Sequence, residues 1–415
     1  MKLALVDGAL GHTGSFLVKY LLESGDWIVV ATDLKPDDRD KIMTKEKVFG
    51  SNLKYMDCRE WEGVKYIPSD LTKKDTLRTL FADDIFPEGK KNYDVIFHPA
   101  SLYDYGAPYE LLHLVNYEGL KNFLEVIFEH CEKTNTKPPR FIHWSTCGVY
   151  GEPKYSKDKK GFIYPIDETA PFNPPNNYSQ TKVEQDKLIF KTAEEHPDFK
   201  YTIIRPAPIY GPYQTYGMYH LYYLAHIVGH FIIPKIFPKK KKLMMALVHV
   251  EDLVRAAIFL AEKKEAENQI YNVVNDPPLQ EQWLECLFNE LGVTYTYIPS
   301  PWIIYKIFAK IIYKLGALKE KKAKKYGIRP KLDLPMLGYL THQYYFSNQK
   351  LKDLGFEFKF NDFVKGTHDT IEWYKQNGWF PSLNWSLPEY INIEPKPAQK
   401  PKIEYKTPME GGKIF

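Results

Sequence analysis

A short apolar run, Leu3-Ala4-Leu5-Val6, breaks at Asp7 into three glycines, Gly8, Gly11 and Gly14. It then passes straight into apolar residues at helical spacing, Phe16, Leu17, Tyr20 and Leu21, closed by Gly25. A second apolar run, Trp27 to Ala31, ends at Asp33. Strand, turn, helix and strand in so short a stretch make a βαβ unit, and two strands joined through a helix lie parallel. The glycines stand where a tight turn must let the backbone approach a pyrophosphate held by the helix N-terminus and its dipole. Asp33, at the end of the second strand, is placed to hydrogen-bond a ribose 2′-hydroxyl. The pattern therefore predicts a dinucleotide site. A carboxylate at Asp33 repels a 2′-phosphate and the next residue is Leu34, so NAD is favoured over NADP, with Lys35 and Arg39 near enough in sequence to leave NADP open.

The alternation continues. Lys65 to Pro68, Val95 to His98, Phe141 to Trp144, Tyr201 to Ile204 and Tyr271 to Val274 read as strands, with helices expected over Leu111 to His130 and Ser179 to Glu195. Such a sequence predicts an α/β fold with a doubly wound parallel sheet, of Rossmann type, covered on both faces by helices. After Pro206 the rhythm gives way to aromatic and proline-rich stretches, and it returns only over Val248 to Glu262. We expect a nucleotide-binding domain from residues 1–205 and 248–275, a smaller discontinuous substrate lobe from 206–247 and 276–387, and a loosely ordered tail over 388–415, rich in Pro and Lys.

Charge excludes one class of partner: 56 Lys and Arg against 52 Asp and Glu leave a net charge of +4, too little to make a basic field for nucleic acid. Cys58, Cys131, Cys147 and Cys286 are far apart and form no CxxC pair, which argues against a zinc site or a disulfide framework and for a reducing compartment. The N-terminus has no apolar signal core and no apolar stretch is long enough to span a bilayer, so a cytoplasmic location is expected. His220, His226 and His230 have no carboxylate beside them, and no metal is expected.

Tyr178-Ser179-Gln180-Thr181-Lys182 places a phenol and an ammonium one helical turn apart on the same side. A phenol is a poor base at neutral pH unless a neighbouring cation stabilises its phenolate, and Lys182 supplies that charge.

With these motifs in order along residues 3–380, the chain resembles the extended short-chain dehydrogenase/reductases, the epimerase, dehydratase and 3β-hydroxysteroid dehydrogenase superfamily. The family's GxxGxxG matches Gly8, Gly11 and Gly14, and the resemblance places the backbone of His12 and Thr13 near the pyrophosphate. It sets Asp70 and Leu71 beside the adenine, Pro99 and Ala100 in the loop after the fourth strand, and Asn116 as the asparagine of the N-x-x-G helix. It puts Thr146 at the Ser/Thr position of the site, makes Tyr178 the acid/base and Lys182 the ligand of the nicotinamide ribose, and brings Pro206 near the nicotinamide. It implies hydride transfer at a carbinol carbon, with Thr146 hydrogen-bonding the oxygen whose proton Tyr178 takes. It also implies a homodimer formed through the helix carrying Tyr178 and the helix after Asn116.

Departures from the family pattern narrow the choice. Sugar-nucleotide dehydratases carry Asp-Glu after the Ser/Thr, where this chain has Cys147 and Gly148, so the carboxylates for eliminating water are missing. Cys147 itself is expected to be a small buried filler. Epimerases read R-x-x-N-x-Y-G-P after the sixth strand; here Arg205-Pro206-Ala207-Pro208-Ile209-Tyr210-Gly211 puts a proline, with neither amide nor N–H, in place of the Asn. That form resembles the 3β-hydroxysteroid and sterol-4-carboxylate dehydrogenase branch. The resemblance implies an NAD(P)-dependent oxidoreductase of an apolar cyclic, sterol-like substrate, with a nucleoside-diphosphate-sugar 4-epimerase as the alternative.

The aromatic stretch Tyr213, Tyr216, Tyr219, Tyr222, Tyr223, Phe231, Ile232 and Ile233 reads equally as pocket lining or as lobe core. Trp302 to Leu318 is amphipathic, with Lys306, Lys310 and Lys314 along one stripe. It is expected to pack on its own lobe, the alternatives being a roof over the pocket or, helped by Lys239 to Lys242, peripheral contact with a membrane.

Overall fold

A computed structural model describes residues 1–34, 56–105, 107–325 and 334–380. Its centre is a seven-stranded sheet built from β1 (Lys2–Val6), β2 (Trp27–Ala31), β3 (Val64–Tyr66), β4 (Val95–His98), β5 (Arg140–Trp144), β6 (Tyr201–Pro206) and β7 (Gln269–Val273). The strands stand in the order β7-β6-β5-β4-β1-β2-β3 and every pair is parallel. The order reverses between β1 and β4, and in open α/β sheets the crevice at the carboxyl ends of the strands at such a point binds ligands.

Period-two alternation explains why these short runs are apolar throughout. Leu3 and Leu5 turn to one face, where Leu120, Phe123 and Ile127 of helix α2 (Gly119–Thr134) cover them. Ala4 and Val6 turn to the other, against Phe16, Leu17 and Leu21 of helix α1 (His12–Ser24). With both faces buried, the strands are mostly apolar, and the polar side chains they carry, His98, His143, Thr202, Arg205 and Asn272, are themselves buried. Residues 140–144, 201–206 and 269–273 form strands within a few positions of expectation, and helix α3 (Asn177–Glu195) starts at a true cap, Asn176, whose side chain accepts from Ser179 N.

One helix differs from its expected form. Residues 111–130 are not one regular helix: an α-turn at Tyr109–Leu112 and a π-helical stretch, His113–Glu118, precede α2. Asn116 lies in the π stretch, a distortion often found at functional sites.

The second lobe has its own core, in which α4 (Met218–Val228), α5 (Gln280–Leu291) and α9 (Phe363–Gln376) bury Tyr219, Tyr222, Trp283, Leu287 and Tyr374 against one another. Beside it, β8 (His230–Phe237) and β9 (Thr294–Pro301) pair in parallel through the α5 crossover. The chain then runs into α7 (Trp302–Lys325) and α8 (Leu334–Thr341), with α6 (Val250–Glu262), earlier in the chain, packed on α1 at the sheet. The helix over 302–318 packs on its own lobe as expected, but by its narrow side: Tyr305 bonds to Leu340 of α8 and Ala309 is buried, while the apolar stripe faces outward, with Ile303 74% exposed and Phe308 64%. No described helix is long and apolar enough to cross a membrane. The tail at 388–415 lies outside the described residues.

Candidate active site

The loop between β1 and α1 is folded on itself as only glycine permits. Gly8 has a positive φ of 59° and a Cβ there would stand 2.8 Å from Ala100 Cα; a Cβ on Gly14 would stand 2.1 Å from the Gly8 carbonyl oxygen. The loop is pinned from below by two carboxylates. Asp33 accepts from Leu10 N at 3.0 Å and Leu34 N at 2.8 Å, and buried Asp7 accepts from Ala100 N at 3.0 Å while pairing with His98 Nδ1.

The loop opens on a cavity of about 990 Å³. Gly8, Gly11, His12, Thr13, Gly14, Asp33, Asp70, Leu71, Pro99 and Ala100 line one part of it, and Thr146, Tyr178, Lys182 and Pro206 line the other. Bare glycine backbone at a helix N-terminus, a carboxylate at the end of β2 and a cavity continuous with a tyrosine and a lysine fit a dinucleotide. Lys35 and Arg39 lie outside the described residues.

Asn116 does not line the cavity. It is buried behind the wall, where Oδ1 accepts from Leu102 N at 2.7 Å and Ser101 Oγ at 3.2 Å, and Nδ2 donates to Thr181 Oγ1 at 3.1 Å. It thus ties the loop after β4 to the helix that carries Tyr178 and Lys182. Its backbone carbonyl is held by Gln185 Nε2 at 2.6 Å.

The side chain of His12 makes a contact that the motif does not announce. Desolvation lowers its pKa to about 4, so it is neutral, and the 2.7 Å contact of Nε2 with the Pro212 carbonyl makes that nitrogen the N–H donor. Its ring also meets Tyr216 edge-on at 6.1 Å, so His12 fastens the glycine loop to the second lobe.

Tyr178 and Lys182 share the buried side of α3. Lys182 Nζ donates to the Trp144 carbonyl at 2.8 Å and stands 5.9 Å from the Tyr178 ring centroid. Burial pulls its pKa down to about 8, opposed by the carboxylates of Asp186 and Asp7. Burial also pushes the Tyr178 phenol upward, and its contact with the Ser101 hydroxyl works against that. Asp186, one turn beyond Lys182, is held by Arg205 at 2.8 and 3.2 Å, and Arg205 Nη1 donates to Tyr150 Oη at 2.8 Å. This buried network fixes the floor of α3. Thr146 Oγ1 accepts from Gly148 N at 3.0 Å, capping the 3₁₀ turn after β5.

Around Tyr178 the wall is aromatic. Tyr103 and Tyr105 meet its ring edge-on at 5.1 and 5.6 Å, and Tyr216 lies 5.1 Å from Tyr103. Tyr339 of α8 lines the same cavity. Tyr103, Tyr105 and Tyr339 escape sequence reasoning; the nearest signal is the run Leu102-Tyr103-Asp104-Tyr105 directly after Pro99-Ala100. The aromatic stretch of the second lobe divides between its two readings. Tyr213 and Tyr216 line the cavity, Tyr219, Tyr222 and Ile233 belong to the lobe core, and Ile232 is exposed.

Cys147 is buried, with Sγ donating to the Arg205 carbonyl at 3.0 Å, and burial drives its thiol pKa well up. It is packing and not a nucleophile. Among the described residues no three His, Cys, Asp or Glu side chains gather as a metal site.

The NAD dependent epimerase/dehydratase family matches residues 4–274. A dihydroflavonol 4-reductase of Callistephus chinensis is 25% identical over 400 residues, 91% of this chain and 87% of that protein. A UDP-glucose 4-epimerase of Lacticaseibacillus casei is 27% identical over 191 residues, 46% of each protein. The crystal structure of a UDP-glucose 4-epimerase of Thermotoga maritima with UDP-glucose superposes with a TM-score of 0.60 at 19% identity, covering 91% of this chain and 99% of that one, which bears on the fold alone.

Proposed function

This chain belongs to the NAD-dependent epimerase/dehydratase family, and from that premise we propose that it moves a hydride between NAD and a hydroxyl or keto carbon of an apolar cyclic compound of steroid or sterol type. The observation that carries the substrate class is the set of tyrosine rings, Tyr103, Tyr105 and Tyr216, gathered about Tyr178. Aromatic faces and edges suit a flat apolar ring system. Cys147 and Gly148, where dehydratases carry two carboxylates, leave no group to eliminate water.

In this reading Tyr178 Oη takes the proton of the substrate hydroxyl as the carbinol carbon is oxidised, and returns it in reduction. Thr146 Oγ1, at the cavity wall, hydrogen-bonds the same oxygen. Lys182 keeps a positive charge close to the phenol, held by its hydrogen bond to the Trp144 carbonyl at 2.8 Å. Bound NAD supplies the hydride acceptor and a cationic ring that further favours the phenolate. Gly8, Gly11, Gly14, Asp33, Asp70 and Leu71 hold the dinucleotide, while Asn116 acts as a positioning residue. Pairing of two copies through α2 and α3 belongs to the same proposal, and sedimentation velocity tests it.

A second reading, a nucleoside-diphosphate-sugar 4-epimerase, has the Lacticaseibacillus casei relative in its favour and Pro208 against it. Nicotinamide absorbance distinguishes them. With NAD or NADP and a panel of 3β-hydroxysteroids and simpler cyclic alcohols, we expect reduction of the dinucleotide that disappears in Tyr178→Phe. Absence of any redox change across the panel, with binding of a UDP-sugar, overturns the first reading in favour of the second.

A further inference from the structure

Helix α7 turns its apolar side away from the protein. Ile303, Ile307, Phe308, Ile311, Leu315 and Leu318 form one stripe along it, with Leu318 64% exposed, and among the described residues nothing covers them. A globular helix normally buries that stripe, and an exposed contiguous one marks an interaction surface. Its flanks carry the second observation. Residues 302–325 contain eight lysines and a single acidic residue, Glu320, in a chain whose whole net charge is +4. Lys306, Lys310 and Lys314, all exposed, run along one border of the stripe.

More basic charge stands at the start of the helix. The turn Lys239–Lys241 is brought there by Lys241, whose Nζ lies 5.8 Å from the Trp302 ring centroid. Lys242 and Lys235 are engaged by Glu281. An outward apolar stripe bordered by lysines is the pattern of a helix lying in the plane of a membrane interface, its apolar face among acyl chains and its ammonium groups at the headgroups. The helix is too polar to cross a bilayer.

We propose that α7, with the basic turn at 239–241, docks this protein on an anionic lipid bilayer. A protein partner would need a complementary acidic rim around an apolar groove; a bilayer with anionic headgroups presents both over any length of helix. The surface is also joined to the cavity. Tyr305 Oη donates to the Leu340 carbonyl at 2.9 Å, linking α7 to α8, whose Tyr339 lines the cavity. Docking through α7 therefore sets the bilayer one helix away from the aromatic pocket, a short path for an apolar compound dissolved in lipid.

Co-sedimentation of the full chain with phosphatidylcholine vesicles, with and without 30% phosphatidylserine as ~30 mol% anionic lipid, tests this. We expect binding that requires the anionic lipid and falls steeply as salt rises. Lys306→Glu/Lys310→Glu/Lys314→Glu should weaken it about 100-fold, and Ile307→Ser/Phe308→Ser/Ile311→Ser should abolish it with the melting temperature unchanged. No binding by the full chain, or equal binding by both variants, overturns the proposal. So does binding seen only after removal of residues 381–415, which would make the chain's own tail the occupant. A dimer in light scattering that the serine variant splits would make a second copy the occupant and overturns it equally.

Discussion

In α1 the apolar residues Phe16, Leu17 and Leu21 meet the sheet and are buried; in α7 residues of the same kind, also on one side of a helix, Ile307, Ile311 and Leu318, stand in solvent. Both helices are amphipathic, and the difference lies in what each has to lean on. α1 follows a strand through a tight glycine turn and has no course open to it but back across the sheet. α7 leaves a two-stranded ribbon with its inner side already filled by Trp302, Tyr305 and Ala309, contacts that suffice to hold it with the broad stripe outward. Burial in one region makes stability, and exposure in the other makes a surface.

Tyr178→Phe should lower turnover by about 10³-fold, within the usual range for a general acid/base, leaving dinucleotide affinity and melting temperature intact; stopped-flow turnover with fluorescence titration of the cofactor checks it. Gly14→Ala drives a methyl into the Gly8 carbonyl, 2.1 Å away, and should destabilise by about 3 kcal/mol or more, with dinucleotide binding lost even where the protein still folds. Leu17→Ala should lower stability by about 3 kcal/mol in urea unfolding, whereas Ile307→Ala should stay within about 0.5 kcal/mol. Equal losses at the two positions would mean that α7 is covered.

Lys182→Met tests the site's own strain. Burial lowers the ammonium pKa from 10.5 to about 8, so at neutral pH the folded protein holds a charge that burial disfavours. That penalty is present in full below about pH 8 and is relieved as pH rises from there toward the unfolded value, since the folded state then releases a proton that the unfolded chain keeps. The gross penalty is roughly 3 kcal/mol, reduced by about 1 kcal/mol for the hydrogen bond to Trp144 that methionine loses. The variant should therefore be inactive yet more stable at pH 7 by about 2 kcal/mol, with the gain shrinking toward pH 10; a variant less stable than the wild type at every pH would refute this account.

Much of the nucleotide half was legible because its signals are local. Gly8, Gly11 and Gly14 need no knowledge of the rest of the chain to demand a tight turn, and a strand apolar at every position announces burial on both faces. Tyr178 and Lys182 were legible as a pair because helical spacing alone puts them on one side. Asn116 was not: its place behind the wall depends on Ser101 and Leu102 and on Thr181, from two other parts of the chain. Tyr103, Tyr105 and Tyr339 went unnoticed for the same reason, since a tyrosine in a loop has no period to reveal what it faces.

Spacing within a few residues is enough to announce the parallel sheet, the glycine loop and the pairing of Tyr178 with Lys182. Which tyrosines line the cavity, that the His12 imidazole bridges to the Pro212 carbonyl, and which way α7 turns depend on contacts between distant parts of the chain. Periodicity states that a helix has an apolar side; the direction of that side is set by the neighbours that reach the helix first, and those come from elsewhere in the chain.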